Sequence, residues 1–153
     1  YHTATLRKNG NVLIAGGFSN GERRLASTEI FESATKIFSK GETMSVSRSS
    51  HSATLLPNGN VLIAGGFNGE YLDSAEIYDV KKNKFIPVGK MTMPRSEHIA
   101  VLLNNGKVLL AGGVGTGWTF LADAEIFDPA SNTFSKIGKM TAARTSHTAT
   151  LLK

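Results

Sequence analysis

The sequence predicts an all-β fold: three four-stranded antiparallel sheets in succession, followed by the first strand of a fourth. Three observations predict it. An apolar segment closed by paired glycines recurs, as NVLIAGGF at 11–18 and 60–67 and as KVLLAGGV at 107–114. Fixed landmarks recur with it: His2, His51, His98 and His147 are 49, 47 and 49 residues apart, and each of the first three stands 15 residues before Gly17, Gly66 or Gly113. Glu29, Glu76 and Glu125 precede Arg48, Arg95 and Arg144 by 19 residues, and every one of these arginines precedes the next histidine by 3. Between the landmarks there are short apolar runs and turn residues with no helical period, the pattern of short strands.

Within each unit the strands follow in order. Strand A is HSATLL (51–56), matched by HTATL, HIAVLL and HTATLL. An Asn-Gly pair then stands at Asn9-Gly10, Asn58-Gly59 and Asn105-Gly106, a hairpin signal that predicts a type I′ turn with both residues at positive φ. Strand B is the VLIAGG segment, whose glycines mark positive φ or a close approach by another backbone. Strand C is SAEIYD (74–79), with STEIFE and DAEIFD as counterparts, and strand D is KFIPVGKM (84–91), with IFSKGETM and TFSKIGKM. Turn residues join C to D at Ser33 to Lys36, Val80 to Asn83 and Pro129 to Asn132. The units run over about 1–47, 48–94 and 95–143, and 144–153 supplies the extra strand.

Composition sets bounds on function. The 153 residues are 41% apolar and 19% charged, ordinary globular usage, and no run approaches a spanning helix or a signal core. With no cysteine, disulfides and thiolate sites are excluded and the redox compartment is left open. The net charge of +5 favours anionic partners. Lys81, Lys82 and Lys84 form the only basic cluster, which reads as a solvated turn and not as a nucleic-acid surface.

Four-stranded meanders repeating near every 48 residues argue for propeller blades. The repeat resembles the kelch motif: the glycine pair closing strand B, an aromatic in strand C (Phe31, Tyr78, Phe127) and one opening strand D (Phe38, Phe85, Phe134), where that family usually carries Trp. The resemblance covers the whole chain and implies either a binding module or an enzyme scaffold. Three blades do not surround an axis, so the chain is expected to be a piece of a longer propeller completed by further blades, the alternative being closure by a second copy.

Antiparallel order puts the B–C and D–A connections on one face and the A–B and C–D turns on the other. The B–C loop is also the only segment of changing length, at 12, 10 and 12 residues from glycine to glutamate. Its non-recurring residues are Ser19, Asn20, Glu22, Arg23 and Arg24, then Asn68, Glu70 and Tyr71, then Thr116, Trp118, Thr119 and Phe120. Of these, Arg23, Arg24, Asn68, Glu70, Tyr71 and Trp118 are candidate ligand-binding residues, because Trp and Arg are favoured binding anchors. Trp118 has a structural alternative, folding back with Phe120 over a neighbouring blade. Leu25, Leu72 and Leu121 recur and are assigned to packing.

Arg48, Arg95 and Arg144 have two readings: guanidiniums that grip a ligand carboxylate, or partners of the strand C glutamates, which would be costly to bury unpaired. Kelch domains that bind acidic peptides carry arginines near the axis mouth, and the resemblance extends to this placement. Residues recurring once per blade are spread around the axis, so the histidines predict no metal site and structural hydrogen bonding instead. No nucleophile triad or phosphate loop stands out, and no cofactor is expected.

The expectation is a non-catalytic module for a protein, peptide or glycan ligand. The alternative is part of the scaffold of a carbohydrate-active oxidase similar to galactose oxidase. The resemblance implies for such an enzyme a copper site with a tyrosine crosslinked to cysteine, which a chain without cysteine does not supply. Repeats such as HTATLL and DAEIFDP also resemble those of bacterial extracellular or surface kelch proteins.

Overall fold

His2, His51 and His98 each stand just before a strand, and each glycine pair follows one. The computed structural model describes residues 1–21 and 23–152. In the first unit, β1 (Thr3–Leu6), β2 (Val12–Ala15), β5 (Thr28–Glu32) and β6 (Ile37–Lys40) pair in that order, with β3 (Phe18–Ser19) and β4 (Arg23–Arg24) forming a small hairpin in the B–C loop. The second unit comprises β7 (Ser52–Leu55), β8 (Val61–Ala64), β9 (Ala75–Asp79) and β10 (Lys84–Pro87), again paired sequentially. The third has β11 (Ile99–Leu102), β12 (Val108–Ala111), β15 (Asp123–Asp128) and β16 (Thr133–Lys139), with β13 (Val114–Gly115) and β14 (Thr119–Phe120) as its loop hairpin. All pairs are antiparallel, so the units are the expected four-stranded blades.

The first strands lie side by side, β1 against β7 and β7 against β11, which makes strand A the inner strand of a propeller segment. Blades are joined by apolar faces. Leu13, Ala15 and Met44 of the first pack against Val61, Ile63 and Tyr78 of the second, and Leu62, Ala64, Ile77 and Met91 of the second against Val108, Leu110 and Phe127 of the third. Alternate residues of β8 therefore serve two different neighbours, and all four are buried, whereas β2 alternates between half-buried and buried. Fully burying each such aliphatic side chain contributes about 1.5–3 kcal/mol. Strand C and D aromatics face each other in register, with ring centroids 4.9 Å apart for Phe31 and Phe38, 5.1 Å for Tyr78 and Phe85, and 4.8 Å for Phe127 and Phe134.

Two details differ from expectation. The Asn-Gly pairs do not form type I′ turns: Gly10, Gly59 and Gly106 have φ of 84°, 89° and 80°, but the asparagines are not at positive φ. Gly59 N–H instead bonds to Leu56 O at 2.9 Å, and Asn58 Oδ1 accepts the N–H of Asn60 at 3.0 Å, so a longer loop with a single left-handed glycine makes the turn. Residues 144 to 152 run past the third blade without forming a strand. Strand A pairs only with strand B of its own blade, and these residues have no such partner.

At the strand B glycines both reasons for glycine apply. Gly65 and Gly66 have φ of 64° and 101°. A Cβ on Gly66 would stand 2.7 Å from Ser49 O and 2.9 Å from His51 Cβ, so the site holds no side chain.

Candidate functional site

The recurrent arginines lie between blades. Arg48 and Arg95 are each 0% exposed. Arg95 donates to Gly112 O at 2.8 Å, to Asp123 O at 3.0 Å and to Glu125 Oε1 at 2.8 Å. Arg48 does the same with Gly65 O at 2.6 Å, Ser74 O at 3.2 Å and Glu76 Oε1 at 2.9 Å. The second carboxylate oxygen accepts a backbone N–H, from Ser45 onto Glu76 at 2.9 Å and from Thr92 onto Glu125 at 2.7 Å. Burial pulls the Arg48 guanidinium below its usual range, and the Glu76 charge opposes that shift. Arg48 and Arg95 stand at the junctions between units: their backbones bond to Leu25 and Leu72 of the preceding blade while their side chains hold the glutamate of the blade that follows. The carboxylate-gripping reading does not fit either, both being fully buried. Arg144, with no blade after it among the described residues, is exposed.

The histidines also link blades. His51 Nε2 lies 2.9 Å from Thr3 Oγ1 and His98 Nε2 lies 2.9 Å from Ser52 Oγ, each reaching the strand A hydroxyl of the preceding blade. His147 finds no such hydroxyl, because Ile99 occupies the corresponding position, and both its ring nitrogens are without a partner. Burial, aided by the neighbouring arginine, lowers both the His51 and His98 imidazoles to about 3, so both are neutral. Just before each histidine, Ser50, Glu97 and Ser146 adopt φ of 52°, 54° and 50°. Their N–H groups bond in relay to Tyr1 O, Ser50 O and Glu97 O, stitching the blades together around the axis mouth.

Above this ring the B–C loops form a cleft of about 380 Å³. Tyr1, Phe18, Phe67, Tyr71, Val114 and Trp118 line it with apolar surface. Ser49, Ser50, Ser96 and Glu97, from the D–A segments, add polar groups. The two sets of connections share one face, as strand order requires. Backbone bridges fix them together, Ser49 to Phe67 and Ser96 to Val114.

Arg24 is the cleft's cation. Its guanidinium carbon lies 5.1 Å from the Phe18 ring centre and 4.8 Å from that of Phe67, a stacked position that leaves Nε without a hydrogen-bond partner. Glu97 is the anion, and it already accepts Ser146 Oγ at 2.8 Å and Thr145 Oγ1 at 3.2 Å. Trp118 is 77% exposed with its backbone at φ 62°, a left-handed conformation that is an outlier for so bulky a residue. Its ring stands edge-on to Tyr71, centroids 6.4 Å apart. Trp118 thus leans on the neighbouring blade's loop through Tyr71 while most of its surface stays open, and Phe120 is 57% exposed.

The structure brings Arg24, Tyr71 and Trp118 together, and Glu70 joins Tyr71 and Trp118 in an adjoining groove. Arg23 is exposed on the β3–β4 hairpin and does not line the cleft. Asn68 shapes its loop, Oδ1 accepting the Glu70 N–H at 3.2 Å. Glu22 lies outside the described residues. Sequence reasoning missed Phe18, Phe67 and Val114. The signal was there, an apolar residue after every glycine pair, but it read as the end of strand B.

The kelch motif model matches residues 48–92 and 98–141, more than half of the chain. No curated protein sequence matches. Among solved structures, one titled "Structure of YjhT" is similar with a TM-score of 0.76 and 15% identity over 92% of this chain and 51% of that one. A fungal alcohol oxidase of the AA5 family, in complex with copper, is similar with a TM-score of 0.67 and 18% identity over 88% of this chain and 29% of that one. At these identities the likeness is one of fold, and the chain spans about half or less of either protein. The donor set here does not fit a copper centre of the cysteine-linked kind: the sequence has no cysteine, and among the described residues no three His, Asp or Glu side chains cluster to hold a metal. No helix among the described residues is long and apolar enough to cross a membrane. With its blades, its glycine pairs and two matched motifs in place, this chain belongs to the kelch-repeat family.

Proposed function

We propose that this chain is a non-catalytic binding module whose protein, peptide or glycan ligand lies across the B–C and D–A loop face. The observation that carries the reading is Trp118, held in a strained backbone conformation and left 77% exposed beside the aromatic cleft. Strain of this sort costs on the order of 1–3 kcal/mol and clusters at functional sites. Flat aromatic walls suit the apolar face of a sugar or a side chain, and the Arg24 guanidinium at the cleft wall suits an acidic group on the same ligand.

Trp118 is the single tryptophan, so its emission reports on the cleft directly. Titrating the purified chain with acidic peptides and with oligosaccharides is expected to shift that emission saturably for one class. Arg24→Ala is expected to weaken an acidic ligand at least about tenfold while leaving the fold intact. No saturable response to any ligand, or copper-dependent oxidation of an alcohol by the chain, would contradict the reading.

A further inference from the structure

The sequence holds five Asn-Gly pairs. Three make the A–B turns, at Asn9-Gly10, Asn58-Gly59 and Asn105-Gly106, and a fourth, Asn68-Gly69, lies in the B–C loop of the second blade. The fifth, Asn20-Gly21, adjoins Glu22, outside the described residues. In such a pair the glycine nitrogen can attack the asparagine side-chain carbon, Cγ, because glycine places no Cβ beside that nitrogen.

The four asparagines are set alike. Each Oδ1 accepts the N–H two residues on, from Asn11 at 3.2 Å, Asn60 at 3.0 Å, Lys107 at 3.1 Å and Glu70 at 3.2 Å. That bond turns the amide forward along the chain and draws electron density from Cγ. The glycines are not set alike. The N–H groups of Gly10, Gly59 and Gly106 are donated to Arg7 O at 3.0 Å, Leu56 O at 2.9 Å and Leu103 O at 2.9 Å. Each of these turn glycines also abuts another residue, so that an added Cβ would stand 3.3 Å from Ser33 Oγ, 3.7 Å from Lys8 Cδ or 3.6 Å from Pro57 Cγ. Among the described residues the Gly69 N–H has no acceptor, and a Cβ there would meet nothing within 4 Å.

We propose that Asn68 is a site of spontaneous deamidation, and that the three turn asparagines are protected from the same reaction by the bonds on their glycines. Hydroxide takes the Gly69 N–H proton, the nitrogen bonds to Asn68 Cγ, and the Cγ–Nδ2 bond breaks to release ammonia. Water then opens the cyclic imide at either carbonyl, leaving aspartate or isoaspartate. The net change consumes one water, releases one ammonia and needs no oxidant. It puts a new carboxylate two residues from Glu70, in the loop whose Gly69, Glu70 and Tyr71 share a groove with Trp118. The isoaspartate form also lengthens the backbone between Phe67 and Tyr71, both of which line the cleft. The reaction asks nothing of a ligand and so holds whatever the cleft binds.

Tandem mass spectrometry tests it on the intact chain, held folded in mildly alkaline buffer, sampled over time and then proteolysed. Asn68 is expected to exchange its amine for a hydroxyl first, roughly threefold to tenfold faster than Asn9, Asn58 or Asn105, the factor by which one backbone hydrogen bond withholds a nitrogen from attack. In urea sufficient to unfold the chain the turn asparagines are expected to accelerate and the four rates to converge. A folded-state rate at Asn68 no greater than at any of the three turns would overturn the proposal. So would a lead for Asn68 that persists undiminished in urea, which would assign it to the flanking sequence and not to the free glycine N–H.

Discussion

Arg95 and Arg24 are the same residue type in opposite employment. Arg95 is 0% exposed and bonds two backbone carbonyls and a carboxylate of the next blade. Arg24 lies against two phenylalanine rings at the edge of a cleft. What separates them is recurrence. An arginine repeated at one spacing in every blade faces the same neighbour each time and becomes part of the joint, whereas one that occurs in a single loop is free to face a ligand. The strand C aromatics make the same contrast with Trp118: Tyr78 and Phe127 recur and are buried, and Trp118 occurs once and is exposed.

The comparison is broken most severely by stranding a junction charge. Glu125→Ala leaves Arg95 buried and unpaired, and is expected to cost about 3–5 kcal/mol of unfolding free energy in urea titrations. Replacing both partners, Arg95→Met with Glu125→Leu, is expected to recover most of that loss, since a well-packed apolar pair removes the charge that needed a partner. A double variant as unstable as the single one would assign the loss to packing.

Acid probes the same layer with a smaller effect. Folded His51 and His98 titrate at about 3, against an ordinary value of 6.5. Between those values the unfolded chain binds protons that the folded one does not, so stability is full above pH 6.5 and falls as pH drops towards 3. The expected slope is up to about 1.4 kcal/mol per pH unit for each imidazole. His98→Gln is expected to flatten the pH dependence measured by thermal melts, and an unchanged slope would place the proton uptake elsewhere.

The smallest effect sharpens the loop side. Trp118→Gly relieves the left-handed backbone and is expected to raise stability by up to about 1 kcal/mol in urea titrations while abolishing ligand capture. A clear loss of stability would mean that the indole packs in a way its exposure does not suggest.

The fold was legible because repetition made it so. Three copies of VLIAGG or VLLAGG, one histidine and one Glu–Arg spacing each specify a strand, a joint or a turn, and the blades follow with the expected pairing. The inter-blade ion pairs were legible as one of two readings, decided by burial that a sequence does not display. Less legible were features that depend on what a neighbour supplies. Residues 144 to 152 resemble strand A, yet they form no strand without a strand B beside them. The Asn-Gly pairs promised one turn and made another, because the loop around them was long enough to use a single left-handed residue. In the cleft, Trp118, Tyr71 and Arg24 stood out by being irregular. Phe67 and Val114 were hidden by regularity, their spacing identical to that of scaffold residues although their side chains face the opening.

One paired urea titration tests the central claim, that recurrent arginines join blades and the solitary cleft arginine serves a ligand. Arg95→Met is expected to lower stability by about 3–5 kcal/mol and Arg24→Met by under about 1 kcal/mol. Equal losses from the two substitutions, or a larger loss from Arg24→Met, would contradict it.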